Sequence, residues 1–288
     1  MDGLKVFIKW YERSSVRSAP HRILDSNSQC RFFSPALAPI LQHPYLEYLY
    51  QEQLRSIEVQ LLYYYLRFTE YLETQLVNPV ILSIINDDFP IDFSQRIKDE
   101  AYKIYCDEAY HALQSHDMIR QIIYVAKEEP IDLQIVIKSR LEKLKMEIDP
   151  NLLSLFDLFF VCVAETLVSH ELGSHTKDKT LHSAIRAIMQ DHARDEASHA
   201  LFFREIMFVL KDQLSKNDFQ SFLNYIPKFL EAYLLPERQN LYAICAPYMS
   251  IESIEVILDE LFQPDKIGQF IAEASGSLNR TIEELKIS

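Results

Sequence analysis

Two six-residue stretches hold the side chains best suited to chemistry. Residues 107–112 read DEAYHA and residues 195–200 read DEASHA, a near-repeat 88 residues apart. A lone E-x-x-H is expected on the order of once by chance in a chain of this size, but a doubled one with the same flanking Asp and Ala is not. Positions i and i+3 share a helix face, so Glu108 with His111, and Glu196 with His199, can each bind a metal ion from one turn. Helical bundles that hold a metal pair this way draw one further glutamate from each of two other helices.

Four glutamates compete for those two places. Glu70 and Glu73 precede the first motif; Glu165 and Glu171 lie between the motifs. Glu165 is set in the apolar run FFVCVAETLV, among Phe159, Phe160, Val161, Val163 and Leu167. A carboxylate buried there is costly unless a cation compensates it, so Glu165 points to a metal. Spacing alone leaves Glu70 and Glu73 open. His192 lies four residues before Glu196 and seven before His199, so the three share a face and His192 offers one metal an extra nitrogen. Carboxylate and imidazole suit iron; Cys30, Cys106, Cys162 and Cys245 form no C-x-x-C pair and read as reduced, packed or incidental thiols.

Long helices must position these groups. The chain has only four glycines in 288 residues, too few for many tight hairpins, and no glycine-rich nucleotide loop. Residues 1–43 read as an irregular arm. Helices are expected over about 45–77, closed by Asn78-Pro79, then 92–127, 131–146, 150–172 ended by Gly173, and 179–214. Shorter helices follow at about 217–232, 237–245, 251–262 and 266–285. We read residues 1–288 as a single domain, with a metal-binding bundle at about 45–215 and C-terminal helices at 216–288.

A formal net charge of -13 argues against nucleic acid and anionic membrane surfaces as partners. The N-terminus MDGLKVFIKWYERSS lacks a signal-peptide apolar core, and the most apolar stretch, Leu152 to Ala164, is interrupted by Asp157 and reads as too short for a span. A cytoplasmic location is expected.

The series Glu73, Glu108-x-x-His111, Glu165, His192-x-x-x-Glu196-x-x-His199 resembles that of the p-aminobenzoate N-oxygenase family, the AurF-like di-iron oxygenases. The gaps of 35 residues from Glu73 to Glu108 and 27 from Glu165 to His192 are similar, as are the segments WYERSSVR and FSPALAPILQHP; the likeness covers roughly residues 10–210. It implies an all-α, ferritin-like four-helix bundle with additional helices, and it selects Glu73 over Glu70. It implies seven ligands, Glu73, Glu108, His111, Glu165, His192, Glu196 and His199, to two Fe ions, with His192 tuning the centre. It further implies O₂ as co-substrate, an external reductase or reductant, and N-oxygenation of a small or carrier-protein-bound amine to hydroxylamine and onward to nitroso or nitro products. A homodimer is expected.

In related di-iron bundles an Asp before the ligand glutamate orients the histidine of the opposite motif, which would pair Asp107 with His199 and Asp195 with His111. Tyr105, Val161, Cys162, Met189, Phe202 and Phe203, one turn from the ligands, are pocket candidates. The alternative reading is a ferritin-like di-iron oxidase, radical subunit or iron-handling protein. Radical subunits place a tyrosine four residues after the first motif histidine, where this chain has Ser115.

Overall fold

A computed structural model describes residues 7–26 and 29–287, without the side chains of residues 168–175. The N-terminal arm contains two single-turn helices, α1 (Trp10–Arg13) and α2 (Ser15–Ser18). Helix α3 (Gln51–Leu72) continues through a π-turn (Glu73–Val77) into α4 (Asn78–Asn86). Then come α5 (Gln95–Ala126), α6 (Ile137–Lys145), α7 (Phe156–His175) and α8 (Ser183–Gln213). The C-terminal part folds as α9 (Lys216–Leu234), α10 (Arg238–Cys245), α11 (Ile251–Leu261), α12 (Pro264–Ala274) and α13 (Gly276–Ile287). The described residues contain no strand, only one isolated bridge between Arg31 and Leu181. The architecture is all-α, that of a ferritin-like helical bundle, with α3 packed along α5, α7 along α8, and α5 meeting α8.

From Leu158 to Leu167 helix α7 is buried all round, which is why its residues there are almost all apolar. It packs on α8, α9 and α13; Phe159 stacks on Phe222 at 4.2 Å, and Phe156 and Phe160 meet Phe229 edge-on. The window Pro150–Leu167 is in fact long and apolar enough to cross a bilayer by composition, contrary to the expectation from Leu152–Ala164, but 72% of it is buried inside the molecule.

Three boundaries differ from expectation, each for a physical reason. Pro44 opens a 3₁₀ turn (Pro44–Tyr48), and α3 starts only at Gln51, where Gln53 Oε1 accepts the Tyr50 N–H at 2.9 Å. Pro79 does not close the helix. The wide turn before it, in which Asn78 N–H bonds to Glu73 O, places Pro79 in the first turn of α4, where its missing N–H is tolerated. Residues 131–136 are not helical. Gln60 donates to Glu129 O and accepts from Ile131 N, each at 3.0 Å, so a side chain of α3 satisfies backbone groups that a helix would otherwise use. In addition, Gly173 lies inside α7, and the last expected helix divides at Ser275.

Candidate metal centre

The two motif helices aim their acidic and imidazole side chains into the space between α3, α5, α7 and α8. Ligand-type atoms gather there in two groups, each within 4.8 Å: Glu73, Glu108, His111 and His192 form one, Glu108, Glu165, Glu196 and His199 the other. All seven side chains are buried. Glu108 joins the halves, with Oε2 at 2.8 Å from His111 Nδ1 and Oε1 at 2.7 Å from His199 Nδ1. Glu196 Oε1 also reaches across, 3.1 Å from His199 Nδ1 and 3.2 Å from His192 Nε2.

Local helix geometry decides between the competing glutamates. Glu73 is the first residue of the π-turn, whose extra residue shifts the register of the helix; π-bulges of this kind occur often at functional sites. It is 2% exposed and faces the cluster, 3.7 Å from His192 Nε2. Glu70 turns outward, where it meets His116 at 3.3 Å. Glu165 sits in the fully buried stretch of α7, while the Glu171 side chain lies outside the described residues.

The cluster cannot stand as a set of free carboxylates. Burial, reinforced by the neighbouring carboxylates, pushes Glu73 and Glu165 well above the ordinary carboxylate range, so each resists carrying a negative charge that no cation offsets. Burial works against charge on Glu108 and Glu196 too, but the His199 imidazolium outweighs it and keeps both ionised. Burial likewise opposes protonation of His111, yet hydrogen bonds to Asp195 and Glu108 push its pKa to about 10; His199 is raised as well, chiefly by the charges of Glu108 and Glu196. Burial, helped by the charge on His111, holds His192 low and neutral. Four carboxylates and three imidazoles thus share one buried space, a donor set whose negative charge two divalent cations would compensate. Unpartnered buried atoms mark where cations fit: Glu73 Oε2, Glu165 Oε2 and Glu196 Oε2 have no hydrogen bond. The residues present fit a metal pair.

The outer face of each imidazole is tied to the opposite motif. His111 Nε2 lies 3.2 Å from Asp195 Oδ2, and His199 Nε2 lies 3.2 Å from Asp107 Oδ2. These contacts turn each Nδ1 inward, the orientation a metal ligand needs.

Sequence reasoning missed the strap that holds those aspartates. Trp10 Nε1 donates to Asp107 Oδ2 at 2.7 Å, and the Ser14 hydroxyl donates to its other oxygen at 2.5 Å. Ser15 donates to Asp195 through both its hydroxyl and its backbone N–H. A few residues further on, Arg22 makes a two-armed ion pair with buried Asp191, at 2.8 and 3.0 Å. The arm read as irregular is therefore the outer wall of the centre. The only signal for it was the likeness of WYERSSVR to the family, because donors contributed from over 90 residues away leave no helical periodicity.

Of the pocket candidates, Val161, Cys162, Phe202 and Phe203 are fully buried core. Met189 lines a narrow void together with His192, Ser115, Thr69 and Tyr65. Tyr105 stands apart: its position on α5 carries it to the surface, 36% exposed, so it lines no pocket at the centre.

A helical bundle with a buried carboxylate–imidazole cluster at its middle defines a class, that of enzymes built around a metal centre of the carboxylate type. The particular family follows from comparison with known proteins. The family model for p-aminobenzoate N-oxygenase AurF matches residues 17–247, well over half the chain, and the protein belongs to that family. It is a family of di-iron oxygenases. No curated protein matches the chain.

Proposed function

We propose that this protein is a di-iron N-oxygenase that moves one oxygen atom from O₂ onto the nitrogen of an amine. Glu73, Glu108, His111 and His192 would hold one iron, and Glu108, Glu165, Glu196 and His199 the other. The iron pair, when bound, supplies the reduction of O₂ that organic side chains cannot perform. In balance, amine, O₂, two electrons and two protons give hydroxylamine and water, and the electrons come from a reductant outside the chain. The protein's part is positional. Asp107 and Asp195 fix the ring orientation of His199 and His111, the phenylalanines of α7 and α8 exclude water, and the void beside His192 leaves space on one side of the centre. We read the chain as one domain that works in the cytoplasm as a homodimer, on an amine that is either free or carried by a protein.

The gathering of four carboxylates and three imidazoles in one buried space, a set that calls for compensating cations, is the observation that supports this reading most directly. The test is to load the protein with Fe(II) anaerobically, count the iron, and expose it to ¹⁸O₂ with p-aminobenzoate and a reductant. Two irons per chain and an ¹⁸O-labelled hydroxylamine or nitro product are expected. Iron binding without labelled product would favour an oxidase, and no iron would remove the reading altogether.

A further inference from the structure

A second, larger cavity lies on the far side of α3 from the metal centre. Its volume is about 330 Å³, and its wall joins α3 to the segment around Pro39, the end of α9, and helices α10 to α12. Phe33, Tyr64, Phe68, Tyr233, Leu241 and Phe262 make the wall almost wholly apolar. Besides the hydroxyls of Tyr64, Tyr65 and Tyr233, three side chains bring polarity: Glu237, which pairs with Arg140; Asn240, which bonds the backbone of Gln134; and Lys266 at the exposed rim, with no ion pair among the described residues. Helix α12, which supplies Lys266, Ile267 and Phe270, lies beyond the stretch matched by the family model.

One residue belongs to both cavities. Tyr65 lines the large chamber, and it also lines the narrow void that ends at His192. Helical spacing explains this double role. Leu61, Tyr64, Tyr65 and Phe68 form the face of α3 toward the chamber, while Leu62, Leu66, Thr69 and then Glu73 form the face toward the centre. Tyr65 stands at the edge between the two faces and is only partly buried.

We propose that the chamber binds the hydrocarbon chain of an anionic amphiphile, of the medium-chain fatty carboxylate type, with its head group at Lys266 and its tail end against Tyr65. Volume sets the class. At about 330 Å³ the chamber is roughly twice the ~150 Å³ of a cavity that takes up benzene, room for a small hydrocarbon body. Wall chemistry sets the apolar body, since dry apolar surface recognises hydrocarbon. Lys266 sets the sign of the head group on an otherwise acidic protein. The binding stands on the chamber alone. Its connection to catalysis, with Tyr65 as the partition between the bound chain and the void at His192, rests on the oxygenase reading of the centre.

The test is calorimetric titration of decanoate, below its micelle-forming concentration, into the iron-loaded full chain, with 1-decanol as the uncharged control. Saturable one-to-one binding is expected. Lys266→Glu lies at an exposed position and leaves the fold intact; it should weaken decanoate at least about 10-fold, the loss of one charge-assisted contact, and leave decanol unchanged. Leu241→Trp should fill the chamber and weaken both ligands. Absence of saturable binding overturns the proposal, as does binding that neither variant alters, or binding that appears only when a dimer dissociates, which would mean that a second copy covers the site. Failure here is separable from failure of the oxygenase reading. Decanoate binding without amine oxygenation leaves the chamber and removes the reaction; labelled amine product without decanoate binding does the reverse.

Discussion

The two halves of the candidate centre come from the same motif, yet they are not equivalent. The His199 half takes its third carboxylate from Glu165, in the fully buried part of α7, and the His199 ring lies 6.3 Å from that of Phe7. The His111 half has only two carboxylates, Glu108 and Glu73, the latter in the π-turn after α3, and adds His192, whose ring lies 4.0 Å from that of His111. The only cavity described at the centre touches this second half, at His192. The extra nitrogen and a void of about 10 Å³ thus occur together on one side. On the reading proposed above, a duplicated motif sets up two binding positions with unlike surroundings, a division in which one half would hold its ion and the other would meet small molecules.

The strongest way to break this division is to remove what the halves share. Glu108 contributes an oxygen to each group. Glu108→Ala should therefore lower bound iron from two per chain to near zero, measured by metal analysis after anaerobic loading and desalting. If one iron remains at full occupancy, Glu108 does not join the halves, and the centre is two separate sites.

Next in size are Glu165→Gln and Glu73→Gln, each of which keeps the shape and removes the charge that offsets a cation. Each should cost about one iron per chain. The metal-free Glu165→Gln protein should also melt no lower than the metal-free parent, because an amide replaces a buried carboxyl that desolvation already disfavours as an anion. Loss of both irons from either variant would show that the halves fill only together.

Much of this centre was legible in the sequence, and the limits of that legibility are physical. Glu108, His111, Glu196 and His199 show themselves through the i, i+3 spacing of a helix, and Glu165 through the cost of a carboxylate in an apolar run. Glu73 could not be separated from Glu70 by periodicity, because an α-helical count does not foresee a π-turn; the family likeness chose between them. Tyr105 was expected inward for the same reason in reverse: being one turn from a ligand places a residue near the centre along the axis but not around it. Pro79 misled because a proline one residue after a wide turn looks like a stop. The strap residues Trp10, Ser14 and Ser15 had no spacing to betray them, since their partners are distant in the chain.

His192→Ala sharpens the comparison by making the halves alike. Glu73, Glu108 and His111 remain, so the variant should keep most of its iron. Amine oxygenation should nevertheless fall at least about 10-fold, within the range seen when groups that tune a metal are lost. Iron content and ¹⁸O incorporation measured on the same sample decide the matter. A variant that loses an iron shows His192 to be needed for capture; one that keeps both iron and turnover shows that the extra imidazole does not distinguish the halves.

The smallest expected effects come from the strap, and they should fall on one half at a time. Ser14→Ala removes a donor from Asp107, which faces His199, while Asp107 keeps the Trp10 indole. Ser15→Ala removes a hydroxyl from Asp195, which faces His111, while Asp195 keeps the Ser15 backbone N–H. Each loss should cost about 1 kcal/mol, that of an ordinary buried hydrogen bond, because a second donor remains to each carboxylate. If the strap acts through the aspartates, each variant should weaken one iron by up to ~10-fold and leave the other, a pattern that titration with Fe(II) reads as two unequal steps. A purely structural strap would lower the melting temperature equally in both variants and leave the two binding steps unchanged. Adding Trp10→Phe to Ser14→Ala strips Asp107 of both described side-chain donors from the arm, and the step assigned to the His199 half should then move further while the His111 half stays in place.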